Sequence, residues 1–312
     1  MNRVLPRQAA APAPSRAPAS GVAHQLLRAS RPKQWSKNVL VLAAPFAAGV
    51  LTNGESIKRV GAAFAIFCCL ASATYLLNDV VDASADRQHP VKRLRPVASG
   101  ALSVPLALAT SLALFATALG TSSALGWRML VVSATYAAIQ FAYCLWLKHE
   151  PVFDLACVAS GFVLRAIAGG VAARLPISQW FLIVATFGAL LMVSGKRLAE
   201  YRHLGDQRGA HRPSLDGYSE TFLQGIAYMS AAVATTAYCL WAFERQGQVH
   251  GHPNGVLFQL SIVPFVLGLL RYTFEIDAGR GSAPEDVIFS DRALQAVGLV
   301  WLALFGVGVY AY

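Results

Sequence analysis

Charge is scarce in this chain. Asp, Glu, Lys and Arg make up only 13% of its 312 residues, where a soluble domain carries about 25%. Disulfide-forming cysteine is missing as well. Cys68, Cys69, Cys144, Cys157 and Cys239 all sit inside apolar runs, with neither a disulfide pattern nor metal-ligand spacing, and read as small packing residues. The seven histidines show no zinc spacing. There is no G-x-x-x-x-G-K-[ST], no H-E-x-x-H and no G-x-S-x-G, so P-loop, zinc-peptidase and serine-hydrolase motifs are excluded. Residues 1–22 lack the continuous apolar core of a signal peptide and read as a disordered Ala/Pro/Arg tail. No linker is long enough to separate a second lobe, so residues 23–312 are expected to form one domain.

Apolar residues fill that domain. They are 55% of the chain, and the mean hydropathy is +0.48. Nine runs near the ~20 residues that a bilayer core requires are expected as transmembrane helices, at about 37–52, 60–81, 104–125, 128–147, 152–173, 178–195, 220–243, 255–274 and 292–311. The fold class is therefore an all-α integral membrane bundle. With the tail inside, 19 Lys and Arg residues fall on the cytoplasmic side and 5 on the other, which predicts a cytoplasmic N-terminus by the positive-inside rule. The net charge of +10 is thus largely topological, and nucleic acid is not an expected partner.

One stretch concentrates chemistry. Tyr75 to Pro96 reads YLLNDVVDASADRQHPVKRLRP. Asn78, Asp82 and Asp86 are spaced four apart and share a helix face, with Asp79 one position off it. Short-spaced oxygen ligands without sulfur suit a hard cation such as Mg²⁺, which takes a few carboxylates plus waters and phosphate oxygens. His89, Lys92, Arg93 and Arg95 follow, positioned to take the remaining phosphate oxygens. The plain alternative is a solvated loop of Asp–Arg pairs, but a carboxylate stripe running on from an apolar helix is costly in lipid.

Further polar groups fall on the same side. Arg31, Lys33 and Lys37 bracket Trp35, either as an interfacial anchor or with Lys37 facing a phosphate. Lys148 closes the fourth run, either snorkelling or binding. Arg165 lies well inside the fifth run, where arginine faces a cavity or a partner; Asp79 and Glu200 are candidate partners. The loop 194–220 carries Lys196, Arg197, Glu200, Arg208, Arg212, Ser214 and Tyr218. Its bases read either as phosphate ligands or as a positive-inside signal. PEDVIFSDRALQ (284–295), with Glu285, Asp286, Asp291 and Arg292, reads as a helix entry with ion pairing.

Nine spans with NDVVDASAD at 78–86 resemble the UbiA superfamily of intramembrane prenyltransferases. That superfamily usually carries a second aspartate-rich motif after the sixth span, whereas this chain reads GKRLAEYRHLGD there. RPKQWSKNVLVLAAP, LKHE, LRAIAGGVA, SGKRLAEYR, SLDGYS, LWAFER and PEDVIFSDRALQ resemble the branch that transfers phosphoribose to decaprenyl phosphate. The resemblance implies 5-phosphoribosyl-1-diphosphate as donor, a polyprenyl phosphate as acceptor, Mg²⁺ as cofactor, and a role in cell-wall arabinan precursors at the plasma membrane, with the active site facing the cytoplasm. Asn78 and Asp82 would hold the metal, with Asp79 or Asp86 adding through water, and Asp79, Asp82 and Asp86 form the catalytic set. Lys37, Tyr75, Lys92, Lys148 and Arg165 match donor-binding positions, and Arg95 lies beside them. Lys196 and Arg197 are the candidates for the acceptor phosphate. The rival readings are prenyl transfer to a small acceptor and a lipid-phosphate carrier. A homo-oligomer is left open.

Overall fold

Once apolar side chains face lipid, every backbone polar group must be satisfied within the chain, which favours helix throughout. A computed structural model describes residues 21–204, 213–248, 255–279 and 284–311. The expected tail therefore lies outside the described residues up to position 20, and helix α1 (Val22–Ala29) begins at its end. A 3₁₀ helix, Pro32–Leu42, leads into the short α2 (Ala43–Ala47). Then follow α3 (Gly54–Val81), α4 (Ala83–Gln88), α5 (Val104–Leu125), α6 (Trp127–Leu145), α7 (Phe153–Ala172) and α8 (Gln179–Leu204). The C-terminal part holds α9 (Glu220–Gln248), α10 (Gly255–Leu260), α11 (Ile262–Asp277), α12 (Pro284–Ser290) and α13 (Arg292–Tyr310).

Eight helical segments among the described residues are long and apolar enough to cross a membrane, α10 and α11 together making one of them. The expected first span, 37–52, is not a single helix. It is the end of the 3₁₀ helix plus α2, packed closely against α7. A Cβ on Gly169 of α7 would lie 1.7 Å from the Val41 carbonyl oxygen, so the backbones of α7 and the 3₁₀ helix touch where only glycine fits. Small residues allow such approach in membrane bundles. Gly169→Ala is expected to cost about 3 kcal/mol, the upper range for overpacking, read as a lower thermal midpoint in detergent. An unchanged midpoint would mean that this contact does not hold the bundle.

Successive contacts run from α5 through α3 and the 3₁₀ helix to α7, α8, α9, α11 and α13. α13 then returns to α2, stacking Phe305 on Phe46 with centroids 5.5 Å apart, so the helices close a ring. Buried hydroxyls link neighbours inside it. Ser111 donates to the Ala73 carbonyl at 2.8 Å, and Ser122 donates to Ser133 at 2.8 Å. At the end of the bundle away from the polar loops, Arg59 donates to the carbonyls of Ala172 (2.7 Å) and Leu125 (3.0 Å), capping the ends of α7 and α5 as a cation should.

α3 has 28 residues, about 42 Å at 1.5 Å per residue, longer than the ~30 Å hydrocarbon core. Asn78 and Asp79 lie in its last turn. Because the helices alternate in direction, the C-terminal ends of α3, α6, α8 and α11 share this side with the N-terminal ends of α5, α7, α9 and α13. Most of the polar sequence features therefore meet at one end.

Candidate active site

The stripe at 78–86 splits in two. α3 stops at Val81, Asp82 caps it, and α4 starts at Ala83. Asn78 donates from Nδ2 to Asp82 Oδ2 at 3.0 Å, and Lys148 Nζ meets Asp82 Oδ1 at 2.5 Å. Asp79 and Asp86 form the second pair, seven residues apart and so nearly two helical turns. Arg95 Nη1 joins them, 3.4 Å from Asp79 Oδ1 and 2.7 Å from Asp86 Oδ2, and Arg31 Nη2 reaches Asp79 Oδ1 at 2.5 Å. The one-stripe expectation is thus corrected: Asp86 turns toward Asp79, drawn by the shared arginine.

Beside the second pair lies an open cleft of about 330 Å³ lined by Arg28, Arg31, Asp79, Lys92, Arg95 and apolar neighbours, a volume typical of small-molecule sites. The Arg31 guanidinium also lies 4.7 Å from the centroid of the Tyr75 ring, a cation–π contact. Arg31 has φ +51°, the left-handed region, which non-glycine residues seldom occupy and which clusters at functional sites. Pro32 follows and makes the right-handed helical region unfavourable for it. Trp35 is not a free interfacial anchor, since its indole donates to Ser72 at 3.0 Å inside the bundle, while Ser72 donates to the Ser30 carbonyl at 3.3 Å. These bonds pin the Arg31 turn to α3. Lys37 lies half-buried on the same 3₁₀ helix.

Other expected residues fall elsewhere. His89 accepts the backbone N–H groups of Val91 and Lys92 at Nδ1 (3.1 and 3.2 Å), so it shapes the 89–92 turn. Arg165 is deep in the bundle and 8% exposed. It donates to Asn38 Oδ1 (2.7 Å), the Gly161 carbonyl (2.6 Å) and Tyr136 Oη (3.0 Å), with its guanidinium near the Phe67, Tyr136 and Phe162 rings. Neutral groups meet the cation, and neither Asp79 nor Glu200 is its partner. Arg165 holds the 3₁₀ helix to α7 and does not line the cleft. Arg197 is corrected in the same way. At 3% exposure it bonds Asp154 Oδ2 through Nε (2.9 Å) and Glu200 through Nη1 (3.1 Å), too enclosed for an external phosphate. Lys196 is 41% exposed in its side chain, 4.0 Å from Glu200. Arg208 and Arg212 lie outside the described residues, as do the side chains of Glu285 and Asp286. Asp291 caps α13, accepting from the N–H groups of Ala293 and Leu294 and from Arg271; the Arg271 bond, ahead of these caps, holds its carboxyl below the usual range.

Tyr218 and Ser214 join Asp154 instead of lining a phosphate site. Tyr218 Oη donates to Asp154 Oδ1 at 2.5 Å, and Ser214 donates to Oδ2 at 3.2 Å. Burial, then the hydrogen bond to Asp154, pushes the Tyr218 phenol well above its ordinary range, so it stays a neutral donor.

A metal fits this end of the bundle in one respect and not in another. Asp79 Oδ2 is buried with no hydrogen-bond partner, and the donors at Asn78 and Asp82 are oxygen-based and hard. Among the described residues, however, no three His, Cys, Asp or Glu side chains converge as a complete cage. Such a partial set suits Mg²⁺, which keeps waters and takes oxygens from substrate phosphates.

A sequence profile of the UbiA prenyltransferase family matches residues 39–290. The chain belongs to the UbiA family. Among UbiA relatives, the decaprenyl-phosphate phosphoribosyltransferase of Corynebacterium glutamicum is 46% identical over 95% of this chain and 90% of its own. The protein of the same description from Mycobacterium tuberculosis is 43% identical over 94% and 96%. A UbiA homolog from Archaeoglobus fulgidus, solved bound to GPP and Mg²⁺, superposes with a TM-score of 0.70 at 19% identity, covering 92% of this chain and all of that one. At that identity the likeness speaks for the UbiA fold.

Sequence reasoning missed Arg28 and the role of Arg31. It also passed over Asp154 as a partner for Arg197. The signals were faint: Arg28 and Arg31 are three apart just before Pro32, and Asp154 is an isolated acid at the start of an apolar run.

Proposed function

We propose that this protein transfers 5-phosphoribose from 5-phosphoribosyl-1-diphosphate to a polyprenyl phosphate, decaprenyl phosphate in the resembled branch, releasing diphosphate. The observation that carries the reading is the cleft in which Arg28, Arg31, Lys92 and Arg95 surround Asp79, the next residue along α3 from Asn78, which bonds Asp82 beside Lys148. Four cations beside a partial oxygen-donor set match a diphosphate bearing a metal. The basic end of α8 supports it further, since Lys196 stands where the superfamily usually carries acids. The names of the curated relatives agree with this reading.

The acceptor phosphate is already an anion, so its oxygen needs no general base. The work left to the protein is to bring two anions together and to stabilise the departing diphosphate. Arg31 and Arg95 pass from carboxylate to phosphate oxygens as the donor enters, with Lys92 and Arg28 closing on it from the cleft wall. Lys148 and Lys37 hold the donor from the bundle side, and Tyr75 stays under Arg31. Lys196, whose side chain is exposed on the C-terminal half of α8, receives the acceptor phosphate. Asn78 and Asp82, with Asp79 or Asp86, would hold Mg²⁺, which when bound would supply positive charge for the leaving group. C1 gains oxocarbenium character as in other glycosyl transfers, and fixed orientation contributes much of the rate. The same reading puts the site on the cytoplasmic face of the plasma membrane, in cell-wall arabinan precursor synthesis.

The test uses the full chain in detergent with polyprenyl phosphate, Mg²⁺ and donor labelled in the ribose. Label moving into the lipid phase, with the C1 configuration inverted by NMR, is the expected result. Retention of configuration would rule out direct displacement. Consumption of a prenyl diphosphate on an aromatic acceptor, with no ribose transfer, would replace this reading with prenyl transfer.

A further inference from the structure

The segment after Lys148 carries a strained turn that the mechanism above does not use. Lys148 sits on a short 3₁₀ turn, Leu147–His149. Three residues after Lys148 the chain makes a γ-turn, with Phe153 N–H donating to the Pro151 carbonyl at 2.8 Å and Val152 at φ +68°, ψ −49°. A β-branched residue at positive φ is an outlier that persists only when its surroundings over-determine it. The surroundings here are specific. Val152 N–H donates to Tyr218 Oη at 2.5 Å, and the same hydroxyl donates onward to Asp154. Asp154 is fully buried and held in turn by Arg197 and Ser214. The loop bearing Tyr218 is pressed against the turn as well, since a Cβ on Gly217 would lie 2.4 Å from Pro151 Cγ.

We infer that Tyr218 is a positioning residue for Lys148: its hydroxyl, anchored on Asp154, holds the Val152 turn and so aims the lysine at Asp82. The inference rests on the phosphoribosyl-transfer reading for its kinetic consequence but not for its structural one. Tyr218 itself is 5% exposed, bonded to the turn and to Asp154, and acts through the chain that carries Lys148. A clamp that links the loop after α8 to the loop before α7 also couples two segments 64 residues apart.

The experiment is a pair of variants. Tyr218→Phe removes the hydroxyl and keeps the ring. It is expected to raise the KM for the ribose donor about 10-fold, within the range that small misplacements cost, while the KM for the lipid acceptor stays at the wild-type value. A general loss of folded protein would instead lower kcat and leave both KM values alone. Tyr218→Phe combined with Val152→Gly is the decisive variant, because glycine adopts positive φ without strain. Recovery of the donor KM in that double variant supports the clamp. No recovery, or a Tyr218→Phe enzyme with wild-type kinetics, overturns it. Amide exchange over 147–153 reads the turn without turnover: faster exchange in Tyr218→Phe is expected, and unchanged exchange overturns the clamp. A wild-type protein that transfers no phosphoribose would count against the proposed reaction, leaving the exchange result to decide the clamp.

Discussion

Asp82→Asn is expected to lower phosphoribose transfer by about 10²–10³-fold, the range for loss of one preorganised electrostatic group in an active site. Asp82 is the point at which Asn78 and Lys148 converge, and its side chain is 28% exposed, so a substrate and its metal can reach it. The asparagine keeps the shape and removes the charge. Two readouts accompany the rate. The Mg²⁺ concentration at half-maximal activity should rise, and the thermal midpoint should stay near wild type, since a partly exposed ion pair contributes little to stability. Transfer at the wild-type rate and Mg²⁺ requirement would remove Asp82 from the metal set.

The second large effect is on stability. Asp154→Ala is expected to cost about 3–5 kcal/mol, because it leaves a buried guanidinium without its carboxylate. Arg197 and Asp154 are 3% and 0% exposed in their side chains, and Glu200 alone, on the same helix, does not replace the lost partner. Replacing both members together, as Asp154→Leu with Arg197→Met, should recover much of the loss, since a well-packed apolar pair is often as stable as a buried ion pair. Thermal unfolding in one detergent compares all three chains. A single variant that melts with the wild type would mean that the pair is more hydrated than its burial indicates.

Most of the helices were legible in the sequence because length and hydropathy suffice to mark a span. The α3 terminus was legible because carboxylates seldom follow an apolar helix without a purpose. Lys148 meets Asp82 and Lys92 lines the cleft, at the same end of the bundle as the acidic stretch. What escaped was non-local. The 3₁₀ helix at 32–42 packs against Gly169, more than 120 positions away, where two backbones touch. Nothing near Arg197 in the sequence reveals Asp154, and an arginine beside a membrane boundary reads the same whether it meets a lipid phosphate or a buried carboxylate. Arg165 was recognised as a costly charge, but its neutral partners Asn38 and Tyr136 carry no sequence mark. Arg31 reads only as one of the bases bracketing Trp35, because nothing in its residue type marks its left-handed backbone or its reach to Asp79.

The pairing of Asp79, Asp82 and Asp86 with Arg31, Arg95 and Lys148 has an electrical meaning: three carboxylates are matched by three cations, and Arg28 and Lys92 at the cleft leave the site with an excess of positive charge. That surplus of positive charge suits an anionic ligand of the phosphate type. Under the proposed reaction, an anionic donor would exchange partners within that set: Arg31 and Arg95 would turn from carboxylate to phosphate, and the carboxylates so released would be open to a metal.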